Sequence, residues 1–385
     1  MTTFFRGHVL FKHRSRQPFN LQLPKSRWAG FWSLAKPIAS GVVLCLSTVY
    51  PVHAATEVSA SNQANFVIAG ADNFNPGLEL LPPKLEQFGS VSAPTEASSK
   101  VGLESLKTDF RNDRDSSNQR NRFLEETAQF RLQNGNIVLS KTGLNAFKQT
   151  GIEPVTNIPI QVGWGGKFGQ VKVQALVGVD LFDRLPIAPN FSIQASLPIL
   201  PNVTLSGVLE KEPYKFNAKA LSNQISALRF GPTLYWQIDR NTSLFSFCRR
   251  GNYSDGNHEH QSFTRLERKF GQFSVSANLF TWNYENNALE RKGYFSPQDF
   301  LVYNGEIGWE GDVFKFLRCG LTASLGRQRL KGDLSSANTY QAHCMAQLSP
   351  RVEAGLGYTF SNVRTQGTGD SSNSQALTGQ LRITF

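Results

Sequence analysis

The feature that most restricts the fold of this chain is an alternation of apolar and polar residues with a period of two. It recurs from about residue 124 to the C-terminus. In residues 170–181 one face is entirely apolar, and the other is polar apart from Leu176. Successive side chains of a β-strand point to opposite faces, whereas a helix would scatter Lys172 and Asp180 around its circumference. The pattern recurs in residues 228–238, 273–283, 351–361 and 377–385.

Turn-forming residues separate these segments. They include Asn134-Gly135, Gly165-Gly166, Asp255-Gly256-Asn257, Asn286-Asn287, Lys331-Gly332-Asp333 and Gly367-Thr-Gly-Asp370. Counting the alternating runs gives about fifteen strands, of which residues 126–132 and 262–269 are the weakest. Closed bacterial barrels usually have an even number of strands, so the sequence predicts 14 or 16.

A soluble β-sandwich also alternates, but three features favour a membrane barrel. The strands are about 9–13 residues long, which suits a tilted bilayer crossing. The chain ends on Phe385, which resembles the C-terminal signal of outer-membrane barrels. Aromatic residues stand near strand ends, as in interfacial girdles: Trp164, Phe182, Trp282, Tyr284, Trp309 and Phe360. We therefore predict an all-β, closed antiparallel transmembrane barrel in the outer membrane of a Gram-negative cell envelope, with a polar lumen.

The N-terminal region predicts export. Residues 1–54 contain seven Lys or Arg and no Asp or Glu, so they carry +7 of the net charge of +11. A basic region, a short apolar run (37–46) and small residues around a cleavage site after Ala54 are typical of a secretory signal; the alternative is an uncleaved anchor. Because 11 − 7 leaves only +4, nucleic acid is not an expected partner. Residues 55–122 are expected to be a flexible periplasmic segment, and residues 123–385 the barrel.

The four cysteines do not predict a disulfide framework. Cys45 lies in the apolar leader, which leaves an odd number. Cys319 and Cys344 fall on neighbouring predicted strands joined by a turn near Lys331-Gly332, so their side chains can face each other. Two readings remain, a disulfide or two small apolar side chains.

One segment resembles a known family. Residues 273–298 end in Gly293-Tyr-Phe-Ser-Pro-Gln298, and the next strand ends in Gly308-Trp309. This resembles the C-terminal barrel of cellulose synthase operon protein C, an exopolysaccharide export porin, and the poly-N-acetylglucosamine export porin is similar in architecture. The resemblance covers residues 124–385, including paired strands at 191–199 and 203–210. It implies an outer-membrane exit for a cellulose-like or related β-glycan.

The chain departs from that family before the barrel. The family carries helical tetratricopeptide repeats there, but residues 55–120 are too short for such an array and contain no 34-residue repeat. A separate periplasmic scaffold or an inner-membrane synthase is therefore an expected partner, beside outer-membrane lipid and the polysaccharide itself.

Candidate site residues fall into two sets. Aromatic faces on which a sugar ring can stack, together with a proline that suits a strand start, give the substrate-path candidates Tyr294, Phe295, Pro297, Trp282 and Tyr235. Residues on polar faces that set ion and sugar preference give the lumen-charge candidates Lys172, Asp180, Arg229, Glu306, Glu353 and Arg382.

We predict no catalytic residues, no metal site and no cofactor. His258-Glu259-His260 lacks a third ligand at metal-binding spacing, and no nucleophile elbow, P-loop or dinucleotide fingerprint is present. Three functions remain: a polysaccharide conduit, a general diffusion porin for small solutes, and a plugged structural barrel. Aromatic residues along the bore favour the first, opposed charge clusters the second, and a lumen without a continuous opening the third.

Overall fold

The computed structural model describes residues 101–364 and 373–385. They form a closed antiparallel barrel in which each strand pairs with its neighbours in the chain and the last pairs with the first. The strands are β1 (Val101–Asp115), β2 (Arg120–Leu132), β3 (Ile137–Gln149), β4 (Ile152–Phe168), β5 (Val171–Phe182), β6 (Ala188–Leu200), β7 (Val203–Pro213), β8 (Ser226–Gln237), β9 (Thr242–Tyr253), β10 (His258–Phe270), β11 (Phe273–Tyr284), β12 (Phe300–Phe314), β13 (Leu317–Leu330), β14 (Asp333–Ser349), β15 (Val352–Ser361) and β16 (Ser374–Thr384). The predicted fold class and the even strand number are confirmed.

In the described part of the chain, two short helices interrupt the connections, α1 (Ala218–Ser222) and α2 (Leu289–Lys292). Within residues 101–364 and 373–385, no helix is long and apolar enough to cross a membrane.

The barrel begins at Val101, not at residue 123 as the sequence suggested. The polar run 109–122, expected to be flexible, forms parts of β1 and β2. Its main-chain groups pair with β16 on one side and within the β1–β2 hairpin on the other, and its inward charges pair across short distances, as in Arg111 Nε–Asp113 Oδ1 at 2.8 Å. Such a segment does not need to bury apolar side chains, because pairing in a closed sheet satisfies the hydrogen bonds of its main-chain groups. The predicted signal peptide and residues 55–100 lie outside the described residues.

The outer surface of the barrel is apolar. Val177, Ile307 and Leu356 are at least 60% exposed, and they lie on the strand faces opposite the buried polar residues. A closed barrel has no unpaired strand edge, which is the condition for spanning hydrocarbon with strands. The chain is therefore a transmembrane barrel of an outer membrane.

The two ends of the barrel differ in the length of their connections. At the end that carries Val101 and Phe385, the turns contain two to four residues. At the other end lie the longer connections, and two of those that the structure describes in full join β7 to β8 (residues 214–225, called L4) and β11 to β12 (residues 285–299, called L6). Because outer-membrane barrels have short periplasmic turns and longer extracellular loops, L4 and L6 lie at the extracellular mouth.

The aromatic girdle is only partly as predicted. Trp164 and Trp309 lie on the outer face, and Trp164 contacts Phe168 with ring centroids 5.4 Å apart. Phe360 also lies on the outer face, where it stacks on Tyr340. Phe182 instead packs on the lumen side, and Trp282 and Tyr284 point into the lumen, where they are 1% and 4% exposed. Their position near a strand end suggested the girdle, but the inward residues of β11 are the even-numbered ones, from Ser274 to Tyr284.

Cys319 and Cys344 are register partners on β13 and β14, and they form a disulfide. The pairing that the sequence left open is therefore present. It lies on the outer face, because the inward neighbour Gly320 is buried.

Candidate functional site

Aromatic side chains cover the lumen face of β9–β12. Phe263 and Phe280 are register partners at its centre and are each 1% exposed. Neighbouring ring centroids are 5.6–6.3 Å apart, in tilted or edge-to-face arrangements. We call this set the aromatic wall: Phe245, Phe247, Phe263, Phe280, Trp282, Phe295 and Phe300. Tyr235, only partly buried, packs against it from a more periplasmic position on β8.

A buried carboxylate organises the extracellular end of the aromatic wall. Glu259, on β10, is 2% exposed. Its Oε2 atom accepts hydrogen bonds from Arg229 Nε at 3.1 Å and Tyr253 Oη at 2.9 Å, and its Oε1 atom accepts from Trp282 and Tyr284. A buried charge is costly unless it is paired and hydrogen-bonded. Glu259 meets both conditions, so this network fixes the rings around it.

L6 delivers Tyr294 onto this network. The Tyr294 ring stacks on Tyr253, with centroids 5.3 Å apart and planes 8° apart. Its hydroxyl lies 3.0 Å from Asn257 Nδ2 and donates to Asp255 Oδ2 at 3.0 Å; burial raises its pKa well above the usual value. Gly293, which ends α2 with φ +82°, supplies the left-handed turn that sends Tyr294 inward.

L4 crosses the mouth of the barrel. It leaves β7 and returns to β8, but the carbonyl oxygen of Phe216 accepts hydrogen bonds from Gln119 at 2.8 Å and from Asn121 at 2.9 Å, at the β1–β2 hairpin. Lys215 Nζ lies 3.0 Å from Asp180 Oδ1 on β5, and both side chains are at most 7% exposed. L4 is therefore fixed to walls on both sides of the lumen.

The helix in L4 packs against the far wall. Ala218 and Leu221 of α1 are buried with Phe123, Phe147 and Val155 of β2–β4. In the same loop, Tyr214 contacts Tyr294 edge to face with ring centroids 5.4 Å apart, and burial raises the pKa of Tyr214 to about 12. An apolar loop segment of this kind gains stability from leaving water, so L4 folds into the lumen rather than away from it.

L4 and L6 also bind each other. Asn217 accepts from the backbone N–H of Ala220 at 2.8 Å and thereby caps α1. Its Nδ2 atom donates to the carbonyl oxygen of Gly293 at 2.6 Å, and Lys219 Nζ donates to that of Glu290 at 2.9 Å. The two loops therefore form one assembly at the mouth, which we call the mouth plug (L4 and L6).

The charged residues of the lumen are largely paired along the wall. Arg265 Nη2 lies 2.7 Å from Glu306 Oε1 and 2.6 Å from Glu267 Oε2. Across β3–β6, Asp180 accepts from Asn157 and Asn190, and Asn157 accepts from Asn145. The polar lumen surface thus consists mainly of amides and neutralised charges.

The predicted substrate-path residues converge, but on the mouth plug rather than along an open bore. Tyr294, Phe295 and Trp282 are 0%, 2% and 1% exposed, and Pro297 is buried beside them. Tyr235 alone is partly accessible. In this conformation four of the five rest against protein groups.

The six predicted lumen charges all lie on inward faces. Asp180, Arg229 and Glu306 have the ion-pair partners Lys215, Glu259 and Arg265. Glu353 and Arg382 are register partners on β15 and β16, and Lys172 is half-buried on β5.

Sequence reasoning missed the residues of L4 and the centre of the Glu259 network. In the sequence Glu259 stands between His258 and His260, but the two histidines face outward and Glu259 faces the lumen. A signal for L4 was present in Tyr214 and Phe216, because two aromatic residues in a turn between polar strand ends are unusual for a solvated loop.

The fold defines the chain as a sixteen-stranded outer-membrane β-barrel. No family model matches the sequence, and no curated protein matches it. Among solved structures, it is similar to one described as "bacterial polysaccharide outer membrane secretin", with a TM-score of 0.62 and 12% identity over 74% of this chain and 99% of that chain. It is also similar to OccK7 (OpdD) of Pseudomonas aeruginosa, with a TM-score of 0.44 and 8% identity over 75% and 99% of the two chains. At this identity the first similarity establishes a shared fold.

Proposed function

We propose that this barrel is an outer-membrane conduit through which an uncharged exopolysaccharide, a cellulose-like or related β-glycan, leaves the cell. The observation that carries the proposal is the aromatic wall on the lumen face of β9–β12. It runs from the partly accessible Tyr235 toward Tyr294 at the mouth. Flat rings in series suit a chain of sugar rings, whose faces are apolar and whose edges are polar.

The electrostatics of the lumen support an uncharged substrate. A pore that selects ions uses rings of charged side chains that are free to face the solute. In this lumen the carboxylates of Glu259, Glu306 and Asp180 are bound to cationic side chains at 2.7–3.1 Å. Paired charges and amides offer hydrogen bonds to hydroxyl groups without a strong net field.

The mouth plug makes the conduit a gated one in this proposal. A glycan reaching the mouth displaces L4 and L6, and the rings of Trp282 and Tyr294 then become available to it. Two further observations agree with an export role: the resemblance of residues 273–298 to the exopolysaccharide export barrel, and the shared fold with a structure described as a polysaccharide outer-membrane secretin.

A second candidate is a structural barrel with a permanently closed lumen. It is favoured by the number of groups that L4 satisfies at once, at Asp180, Gln119, Asn121 and Gly293. A loop bound to the wall at this many points fits a permanent structural role.

Single-channel recording of the folded protein in planar bilayers tests the proposal. We expect rare openings that are blocked by cello-oligosaccharides or by poly-N-acetylglucosamine fragments. Openings that neither sugar affects would favour a general diffusion porin. The absence of current, from protein shown to be folded and inserted, would leave the structural barrel.

A further inference from the structure

A basic cluster lies on the outer surface of the barrel, just below the extracellular rim. Arg114 on β1 is the register partner of Arg120 on β2, and Arg120 is in turn the partner of Lys148 on β3. Arg122 follows two residues along the same face of β2. All four are exposed and outward-facing, because the residues between them in sequence are buried on the lumen side. We call these four residues the rim cluster.

Nothing in the described part of the chain neutralises the rim cluster. Its one polar contact joins Arg120 Nε to the amide oxygen of Asn112 at 3.1 Å, and none of its four members forms an ion pair with a described carboxylate. Glu126 is on the same face of β2 but four residues from Arg122, roughly 13 Å along the strand. Like charges directly opposite each other on neighbouring strands are destabilising, so a bound anion is the expected companion.

The position of the rim cluster limits what that anion can be. Directly below it, toward the membrane centre, the outer face carries Leu124 and its register partners Phe110 and Leu144, which are 45%, 38% and 50% exposed. The positive charges therefore lie where the hydrocarbon surface ends and the headgroup layer begins. A ligand that satisfies both zones has an anionic head and hydrocarbon chains.

We propose that the rim cluster binds the phosphate groups of a phosphorylated glycolipid in the outer leaflet, with its acyl chains lying over Leu124 and Leu144. Arginine is suited to this role because its planar guanidinium forms paired hydrogen bonds with phosphate oxygens. Three strands that present cations side by side match a headgroup with more than one phosphate better than a single exposed lysine does. This inference depends only on the membrane fold, not on what passes through the lumen.

The barrel itself provides a matched control. Lys211, Arg250 and Arg329 are also exposed, outward-facing and near the extracellular ends of their strands, but they lie on β7, β9 and β13 and are not register partners. Neutralising them removes the same charge from the same level without touching the rim cluster.

The test compares two triple variants with the wild type in phosphatidylcholine nanodiscs that contain increasing amounts of bisphosphorylated lipid A. The variants are Arg114→Gln/Arg120→Gln/Lys148→Gln and Lys211→Gln/Arg250→Gln/Arg329→Gln. Retained lipid is counted by native mass spectrometry, and each variant is first shown to migrate as a folded barrel without heating. Three adjacent charges acting on one anionic headgroup contribute about 100-fold to its binding, so we expect that loss in the first variant. The three control charges lie on separate strands and cannot act together on one headgroup, so the second variant should lose less than about threefold.

Two further measurements distinguish a lipid phosphate from free phosphate and exclude a folding defect as the cause of weaker binding. Dephosphorylated lipid A should bind the wild type about 100-fold more weakly than intact lipid A does, and this comparison needs no variant. Inorganic phosphate at millimolar concentration should not displace the lipid. Equal losses in both triple variants, unchanged binding in the first, binding of the dephosphorylated lipid, or displacement by inorganic phosphate would each overturn the proposal.

Discussion

Lys215 is the residue whose replacement tests most directly whether L4 closes the mouth. Its ammonium group lies 3.0 Å from Asp180 and 3.6 Å from Glu212, and it is the cationic side chain by which L4 binds the wall at β5. The substitution Lys215→Met keeps the length and apolar stem of the side chain but removes the charge. Asp180 keeps two amide donors, Asn157 at 2.9 Å and Asn190 at 2.7 Å.

The size of the effect follows from burial. Removing one partner of a buried ion pair costs about 3–5 kcal/mol, and the two remaining donors to Asp180 place this case near about 3 kcal/mol. The cost falls on the closed state, since an open L4 exposes both groups to water. At about 1.4 kcal/mol for each factor of ten, the ratio of open to closed states should rise by roughly 150-fold.

Single-channel open probability in planar bilayers is the assay. Lys211→Met serves as the control, because this lysine is four residues earlier, exposed and on the outer face of β7, and it should leave the open probability unchanged. If Lys215→Met folds normally and opens no more often than the control, L4 does not close the conduit through this anchor, and the reasoning from burial is wrong.

Three further changes have defined outcomes. Glu259→Gln leaves the guanidinium group of Arg229 buried without a counter-charge. It should lower the free energy of unfolding by about 3 kcal/mol, measured by denaturant titration of the folded barrel in detergent. Reducing the disulfide between Cys319 and Cys344, which are 25 residues apart, should cost about 3 kcal/mol, and the Cys319→Ser/Cys344→Ser variant should lose the same stability without reductant. Tyr235→Ala should weaken oligosaccharide block about two- to tenfold through the loss of one stacking face, whereas Tyr303→Ala, on the outer face, should not.

Each of these outcomes can fail independently. An unchanged unfolding midpoint in Glu259→Gln would mean that the hydrogen-bond network does not depend on its charge. If reductant does not destabilise the wild type, the disulfide contributes nothing to the stability of β13 and β14. Equal block in the two tyrosine variants would exclude Tyr235 from the sugar path.

The fold followed from the sequence because alternation is a local property. In β5 the residues predicted to face the lumen include Asp180, which is fully buried there, and the opposite face includes Val177, which is 60% exposed. Each strand carries its own two-residue pattern, so the inner and outer faces were predicted without knowledge of any partner strand.

The mouth plug did not follow in the same way, because it depends on contacts between residues far apart in the chain. Asn217 caps a helix of five residues and binds Gly293 in another loop, and no periodicity encodes such a pair. The start of the barrel did not follow for a related reason. The outer face of β1 ends in Asn112 and Arg114, so the alternation is lost there, and the order of β1 comes from pairing with β16, at the other end of the sequence.

The β1–β16 seam also determines how this barrel must be assembled. Register partners such as Leu106 and Ile383 are separated by almost the whole barrel sequence, and contacts of such long sequence separation form slowly because their loop-closure entropy is paid first. Until the last strand is added, β1 and β15 each present an open edge, which hydrocarbon does not tolerate. Loss of the C-terminal strand should therefore give no stable barrel of fifteen strands, because two unpaired edges would remain in the hydrocarbon.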